Sequence, residues 1–219
     1  MPFFLMAESL IFSKTCYMVA GDTLSPEMNY EMKAEKIEGI TDTSLKMFSD
    51  PEAFFEDNFL QYSKNFMSMK DIYEAYPNAA SLRHHFYYDK ADILFSNKRF
   101  YSLRYHHSWY TGGAHPNSNS KHWILRKKDG KILNYRDLFK PTAAKRLKTL
   151  IDKALLKKFQ VSDLNQILFS KDYPVSNDIY LVKKGIVFQY DAYDIAPYST
   201  GPIEVFLPYW KIHKLMKDF

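Results

Sequence analysis

Cysteine is almost missing from this chain: Cys16 is the only one in 219 residues. A single thiol excludes an intramolecular disulfide and a cysteine-rich zinc site. Its surroundings do not resemble a lipobox, so it does not mark a lipidated N-terminus. Long apolar runs are missing too. The stretch 1–7 is apolar but short, lacks a basic flank and is interrupted by Glu8, so no signal peptide is evident. Nothing approaches the roughly 20 apolar residues of a membrane-spanning helix. There is no repeat, low-complexity tract, Arg-rich tail or nucleic-acid-binding motif, and nucleic acid is not an expected partner. The Gly-x-Ser-x-Gly elbow, the helical His-x-x-x-His pair and a phosphate-cradling glycine loop are also lacking. The commonest serine-hydrolase, metallopeptidase and nucleotide-binding signatures are thereby excluded.

The composition is that of an ordinary globular protein, with 46% hydrophobic and 25% charged residues. The length suits one large domain or two small ones sharing a core. Aromatic residues reach 17%, with 17 Tyr and 17 Phe. They have two readings, core and cross-strand packing or a sugar- or peptide-binding face. The formal net charge is +5 and the isoelectric point about 9.0. Much of the excess falls between Lys140 and Lys158, where Lys145, Arg146, Lys148, Lys153, Lys157 and Lys158 surround the apolar stripe Leu147, Leu150, Ile151, Ala154 and Leu155. That pattern predicts an amphipathic helix with a solvated basic face.

Strand and helix signals alternate along the chain. Residues 27–37 alternate apolar and polar side chains, as a strand does. Asp50 with Pro51 reads as a helix start, and Phe55, Phe59, Tyr62 and Phe66 follow at helical spacing. Strands are expected at 82–88, 93–95 and 100–110. A hairpin is expected to join 121–127 to 131–135 across Asp129-Gly130. A short helix near 163–169, strands at 179–182, 186–190 and 203–207, and a terminal helix at 210–216 complete the reading. Short connections between strands favour antiparallel pairing. The predicted fold class is α+β, with mainly antiparallel sheets, helices packed on their faces and two small intertwined units, residues 22–115 and 116–219.

Two segments stand out. The first is Tyr110-Thr-Gly-Gly-Ala-His-Pro-Asn117, where Gly112 and Gly113 permit a tight turn and Pro116 fixes its exit. The second is Tyr190-Asp-Ala-Tyr-Asp-Ile-Ala-Pro-Tyr-Ser-Thr-Gly201. Candidate ligand-binding residues are Tyr110, Thr111, Gly112, Gly113, His115, Asn117, Asp194 and Tyr198. Six of the seven histidines lie between His84 and His122, yet neighbours such as His84-His85 and His106-His107 point to opposite faces of a strand. A metal site is therefore not expected, and no cofactor is implied. His115 has a structural reading, ordering its turn through backbone or carboxylate, and a functional one, lining a recognition surface with Asp194.

The pairing of Tyr-Thr-Gly-Gly-Ala-His with Tyr-Asp-Ile-Ala-Pro-Tyr-x-x-Gly resembles the exported paired domains of the PdaC/RsiV type, from about Ser25 to the C-terminus. Pro116 stands where many members carry Gly, and Asp194 where many carry Glu. Such domains precede the catalytic domain of peptidoglycan deacetylases and form the extracellular part of lysozyme-sensing anti-sigma factors. The resemblance implies an extracytoplasmic location and a non-catalytic binding or sensing module whose partner is an envelope protein or a cell-wall glycan. Lysozyme ranks lower as a partner, because lysozymes of that kind and this chain are both basic. The alternative is a hydrolase of wall polymer that uses His115 and a carboxylate such as Asp194.

Overall fold

The computed structural model describes residues 9–19, 27–32, 37, 40, 42–51, 53–54, 56–58, 61 and 84–217. Its described strands form two antiparallel sheets. The larger sheet contains β1 (Ser9–Val19), β2 (Glu27–Met32), β3 (His84–Ser96), β4 (Phe100–Tyr110), β5 (Asn117–Arg126) and β6 (Ile132–Leu133), in the order β2-β1-β3-β4-β5-β6. The smaller contains β7 (Ile179–Val182), β8 (Gly185–Tyr190) and β9 (Ile203–Pro208), in chain order. The helices are α1 (Lys46–Ser49), α2 (Tyr135–Leu138), α3 (Ala144–Phe159) and α4 (Tyr209–Ile212). Residues from Pro51 to Gln61 are also helical at every described position. The α+β class follows as expected.

The hairpin is present, with Ile124 opposite Leu133, and Gly130 takes a left-handed φ of +69° at its turn. Asp50 caps the helix that starts at Pro51, accepting from Ala53 N at 3.3 Å. The face expected at Phe55, Phe59, Tyr62 and Phe66 lies outside the described residues. Of the strand expected over 27–37, β2 covers Glu27–Met32, residues 33–36 lie outside the described residues, and residue 37 belongs to no strand. The separate strands expected at 82–88 and 93–95 are one strand, β3, unbroken through Asp89-Lys90-Ala91-Asp92. No strand was expected at 9–19, yet β1 pairs with β3 from Ser9↔Ile93 to Val19↔His84, with one irregularity between Leu10 and Phe12. The helix expected at 163–169 is a single 3-10 turn, Leu164–Gln166, capped by Asp163.

The chain divides into two units: residues 1–93 with 104–120, and residues 94–103 with 121–219. In the second unit, Leu147, Ile151 and Leu155 of α3 are fully buried. They join Ile186, Phe188, Val205 and Leu207 in one apolar core. The helix ends where Gln160 turns left-handed (φ 56°), and the N–H groups of Gln160 and Val161 both donate to Leu156 O. The helix α2 is started by a capping box, in which the Asn134 side chain accepts from Arg136 N and Asp137 N while Asp137 accepts from Asn134 N.

Charge divides with the units. The first carries 9 Lys and Arg against 15 Asp and Glu, a net of −6; the second carries 21 against 10, a net of +11.

Candidate functional site

In the first unit, the paired strands β3 and β4 present two chemically different faces, because successive side chains alternate. One face is closed. Asp89, 2% exposed, accepts from the Tyr105 hydroxyl and lies 2.7 Å from His107 Nδ1. His107 stacks on Trp109 at 4.9 Å between ring centroids, and Phe54 sets its edge on Tyr105 at 5.5 Å. A buried carboxylate needs such partners, since an unpaired one is costly in a low dielectric.

The other face is half-exposed and carries Phe86, Tyr88, Lys90, Arg104, His106, Ser108 and Tyr110 around the fully buried Asp92. Arg104 holds one oxygen of Asp92 through Nε (3.0 Å) and Nη2 (2.6 Å), and Lys90 Nζ lies 3.0 Å from the other. Phe86 stacks with Tyr110, and Tyr88 meets His106 edge-on. His106 Nδ1 lies 2.9 Å from Ser120 Oγ. Burial, then the neighbouring Arg104, push the His106 pKa below its ordinary value. Burial likewise raises the Tyr88 phenol. Both groups are thereby kept neutral near pH 7. The face combines flat aromatic rings with fixed donors.

This face runs directly into the first motif loop. The Tyr110 hydroxyl donates to Gly113 O at 2.8 Å and closes the turn. Gly112 and Gly113 have φ of +90° and +109°, which L side chains rarely adopt. A Cβ on Gly113 would meet nothing within 4 Å, so backbone conformation alone calls for glycine there. His115 is half-buried, with Nδ1 3.0 Å from Pro116 O. Thr111 is half-buried, and Asn117 opens β5 in an exposed position.

The second motif loop belongs to the second unit. Asp194 is exposed, and its side chain accepts from Asp191 N at 2.8 Å while its own N–H donates to Asp191 O at 3.1 Å. Asp194 thus closes its own turn. Tyr193 is held at φ +72°, and its ring lies 5.6 Å from Tyr198, which is half-buried. Ile195 and Ala196 are buried, and Phe169 N donates to Ile195 O. These contacts give Asp194 a loop-shaping role.

The clustered histidines disperse. His106 meets Ser120, His107 meets Asp89, and His115 meets Pro116 O. His122 meets Asp178 twice, through its backbone N (3.0 Å) and Nδ1 (2.9 Å). The side chains of His84 and His85 lie outside the described residues. No group of three or more His, Cys, Asp or Glu side chains placed to hold a metal occurs among the described residues.

The His122–Asp178 pair was not found in the sequence. The two residues are 56 apart and no motif links them. His122 stacks on Tyr180 at 4.5 Å, and Tyr180 in turn donates to Glu204 at 2.9 Å. A histidine oriented by a carboxylate is the supporting half of a general-base arrangement. Here Nε2 is buried, with no hydrogen-bond partner among the described residues. The pair anchors β5 to the segment leading into β7.

Residues 22–118 match the family described as Deacetylase PdaC, and residues 136–210 match the family described as Protein of unknown function (DUF3298). No curated protein matches the chain. Among solved structures, a DUF3298-family member from Bacteroides fragilis is similar with a TM-score of 0.70. It shares 19% identity over 97% of this chain and 94% of that one. A DUF3298-family protein from Pseudomonas aeruginosa gives 0.52 at 20% identity, over 60% of this chain and 62% of that one. These likenesses show the fold.

Proposed function

We propose, for a chain that joins a PdaC-type region to a DUF3298-type region, that it is a non-catalytic binding module of the bacterial envelope. It acts outside the cytoplasm, and cell-wall glycan is its ligand. The observation that carries this is the half-exposed face of β3 and β4. There Phe86, Tyr88, His106 and Tyr110 offer rings at different angles, next to the cations Lys90 and Arg104 and the loop 111–117. Sugars are recognised by rings that stack against their C–H faces and by fixed donors that meet their hydroxyls. Both elements are present, and the turn that ends the face is held by Tyr110 itself.

Hydrolysis of wall polymer by His115 with Asp194 gains no support from the local geometry. Nδ1 of His115 is directed at its neighbour's carbonyl, and Asp194 is engaged by Asp191 N. The objection from like charge to a basic partner such as a lysozyme applies to the second unit and not to the first, which is net acidic.

The test is calorimetric titration of the whole chain with soluble peptidoglycan fragments. Wild-type protein is expected to bind, and Tyr88→Ala and His106→Ala to weaken binding at least tenfold, the order expected for losing a packed recognition contact. Fragments that do not bind, in an experiment where an envelope protein is captured through the same face, would replace the glycan with a protein ligand. Release of new reducing ends during the titration would overturn the non-catalytic reading.

A further inference from the structure

A second surface lies in the second unit, at the corner where the β7–β8 turn meets the end of β9. Lys183 and Lys184 form that turn, between Val182 and its partner Gly185. Gly185 pairs with Pro208, and Tyr209 N donates to Lys184 O at 3.0 Å, so the turn lies against the start of α4. Ile212 is fully buried and Tyr209 packs on the core, where burial lifts its phenol to about 12. With those two residues facing inward, Trp210 is left 71% exposed, and Lys211 Nζ sits 5.0 Å from its ring centroid. Phe206, 45% exposed, lays its ring over Gly185. Lys214 follows one turn beyond Trp210. Lys183, Lys184, Lys211 and Lys214 are all exposed, and among the described residues none has a carboxylate partner.

We propose that this corner docks the second unit on an anionic phospholipid surface, with Trp210 and Phe206 at headgroup depth and the four lysines on lipid phosphates. The inference stands apart from the glycan reading of the first unit. Unpaired lysines alone would suit any polyanion. An outward-facing tryptophan among them selects a bilayer, because the indole ring has its favoured environment at the lipid–water interface. The surrounding charge has the matching sign: the unit is net +11. Basic side chains near an anionic leaflet each add to binding, and a few exposed apolar rings supply the insertion that separates docking from ion-cloud attraction.

The experiment uses the full chain and vesicles of phosphatidylcholine with or without phosphatidylglycerol. Trp123 is buried and Trp109 half-buried, so Trp210 is the solvent-exposed fluorophore. Sedimentation with the anionic vesicles, together with a blue shift of tryptophan emission, is expected; neutral vesicles should give neither. Trp210→Ala should remove the shift and weaken partitioning. Lys183→Gln and Lys184→Gln should each weaken it about fivefold. Lys145→Gln and Arg146→Gln remove the same charge from the exposed side of α3 and should matter much less. Equal losses from both pairs, or an unchanged partition for Trp210→Ala, would show general electrostatic attraction and overturn the docking corner. Binding to soluble polyphosphate without vesicle sedimentation would also overturn it.

Discussion

The second unit closes over Leu147, Ile151 and Leu155 against the inner faces of β7, β8 and β9, and the polar groups buried among its described residues, Ser102, His122 and Gln189, include no carboxylate. In the first unit, β3 and β4 bury carboxylates instead: Asp89 at 2% exposure and Asp92 at 0%. Apolar burial is non-directional and tolerates small shifts. A buried carboxylate is stable only while each partner stays in place. Each unit is therefore vulnerable in a different way. The second should fail through volume, the first through loss of a single partner or a change of pH.

Volume gives the largest expected effect. A Cβ on Gly185 would stand 2.2 Å from Leu207 O, 2.5 Å from the Phe206 ring and 2.9 Å from Pro208 Cα. Two of those three atoms are backbone of the paired strand, which cannot step aside as a side chain can. Gly185→Ala should cost about 3 kcal/mol or more. Amide protection across β8 and β9 reads it locally, and protection unchanged from wild type would mean that the strands open more easily than this packing implies.

Loss of a partner comes next. Arg104→Ala leaves the fully buried Asp92 with Lys90 as its remaining cation. Breaking buried pairs costs about 3–5 kcal/mol. Arg104 is itself 22% exposed, so the lower end, about 3 kcal/mol, is expected. The double change Arg104→Ala with Asp92→Ala should cost less than Arg104→Ala alone, because no stranded charge remains. A double mutant at least as unstable as the single would sink the idea that charge burial, and not packing, is what Arg104 satisfies.

The pH response separates the units further. His106 has its folded pKa depressed by burial and by Arg104, below the ordinary value of 6.5. Between the two values the unfolded chain binds the extra proton, so stability falls as pH drops through the ordinary histidine range and is fully present above it. Protection of the β4 amides should weaken from pH 7 to pH 5, and His106→Gln should flatten that dependence. Equal slopes in wild type and variant would assign the effect to another group.

The same contrast explains what could be read from the sequence. The stripe on α3, the Asp129-Gly130 hairpin and the apolar strands β7 to β9 were legible, because apolar periodicity reports burial directly. The reading failed where polar groups are buried. Asp89-Lys90-Ala91-Asp92 looks like a break between strands, yet it is the middle of β3, where Asp89 meets Tyr105 and His107 of β4, and Asp92 lies between Arg104 of β4 and Lys90 of its own strand. The His122–Asp178 contact and the need for glycine at 185 also escaped. Both depend on segments far apart in sequence, and Gly185 is required by the close approach of β9 more than by the turn it borders. Of the candidate site, the Gly112-Gly113 turn and the place of Tyr110 were legible. That Asp194 closes its own loop through Asp191 could not be read from the sequence.

The smallest expected effect on stability, and the sharpest test of the first unit's role, is His115→Ala. The contact from Nδ1 to Pro116 O is a local hydrogen bond on a half-buried ring. Such bonds contribute about 0.5–1.5 kcal/mol, and the adjacent turn is already fixed by Tyr110 and by glycines at positive φ. The melting temperature of His115→Ala should stay within a few degrees of wild type, since about 1 kcal/mol moves a domain of this size by roughly 2–4 °C. Binding of wall fragments should fall more than stability does, because His115 sits in the loop that follows Tyr110 at the end of the face on β3 and β4. Gly113→Ala provides the contrast. Its Cβ has open space, so any loss comes from the backbone angle of +109°, which should reshape the loop while leaving His115 present. If Gly113→Ala impairs capture and His115→Ala does not, the loop's shape is what is recognised and the histidine only supports it. If His115→Ala destabilises the chain by 3 kcal/mol or more while capture by the remaining folded protein is intact, the residue belongs to the architecture of the first unit and not to its binding face.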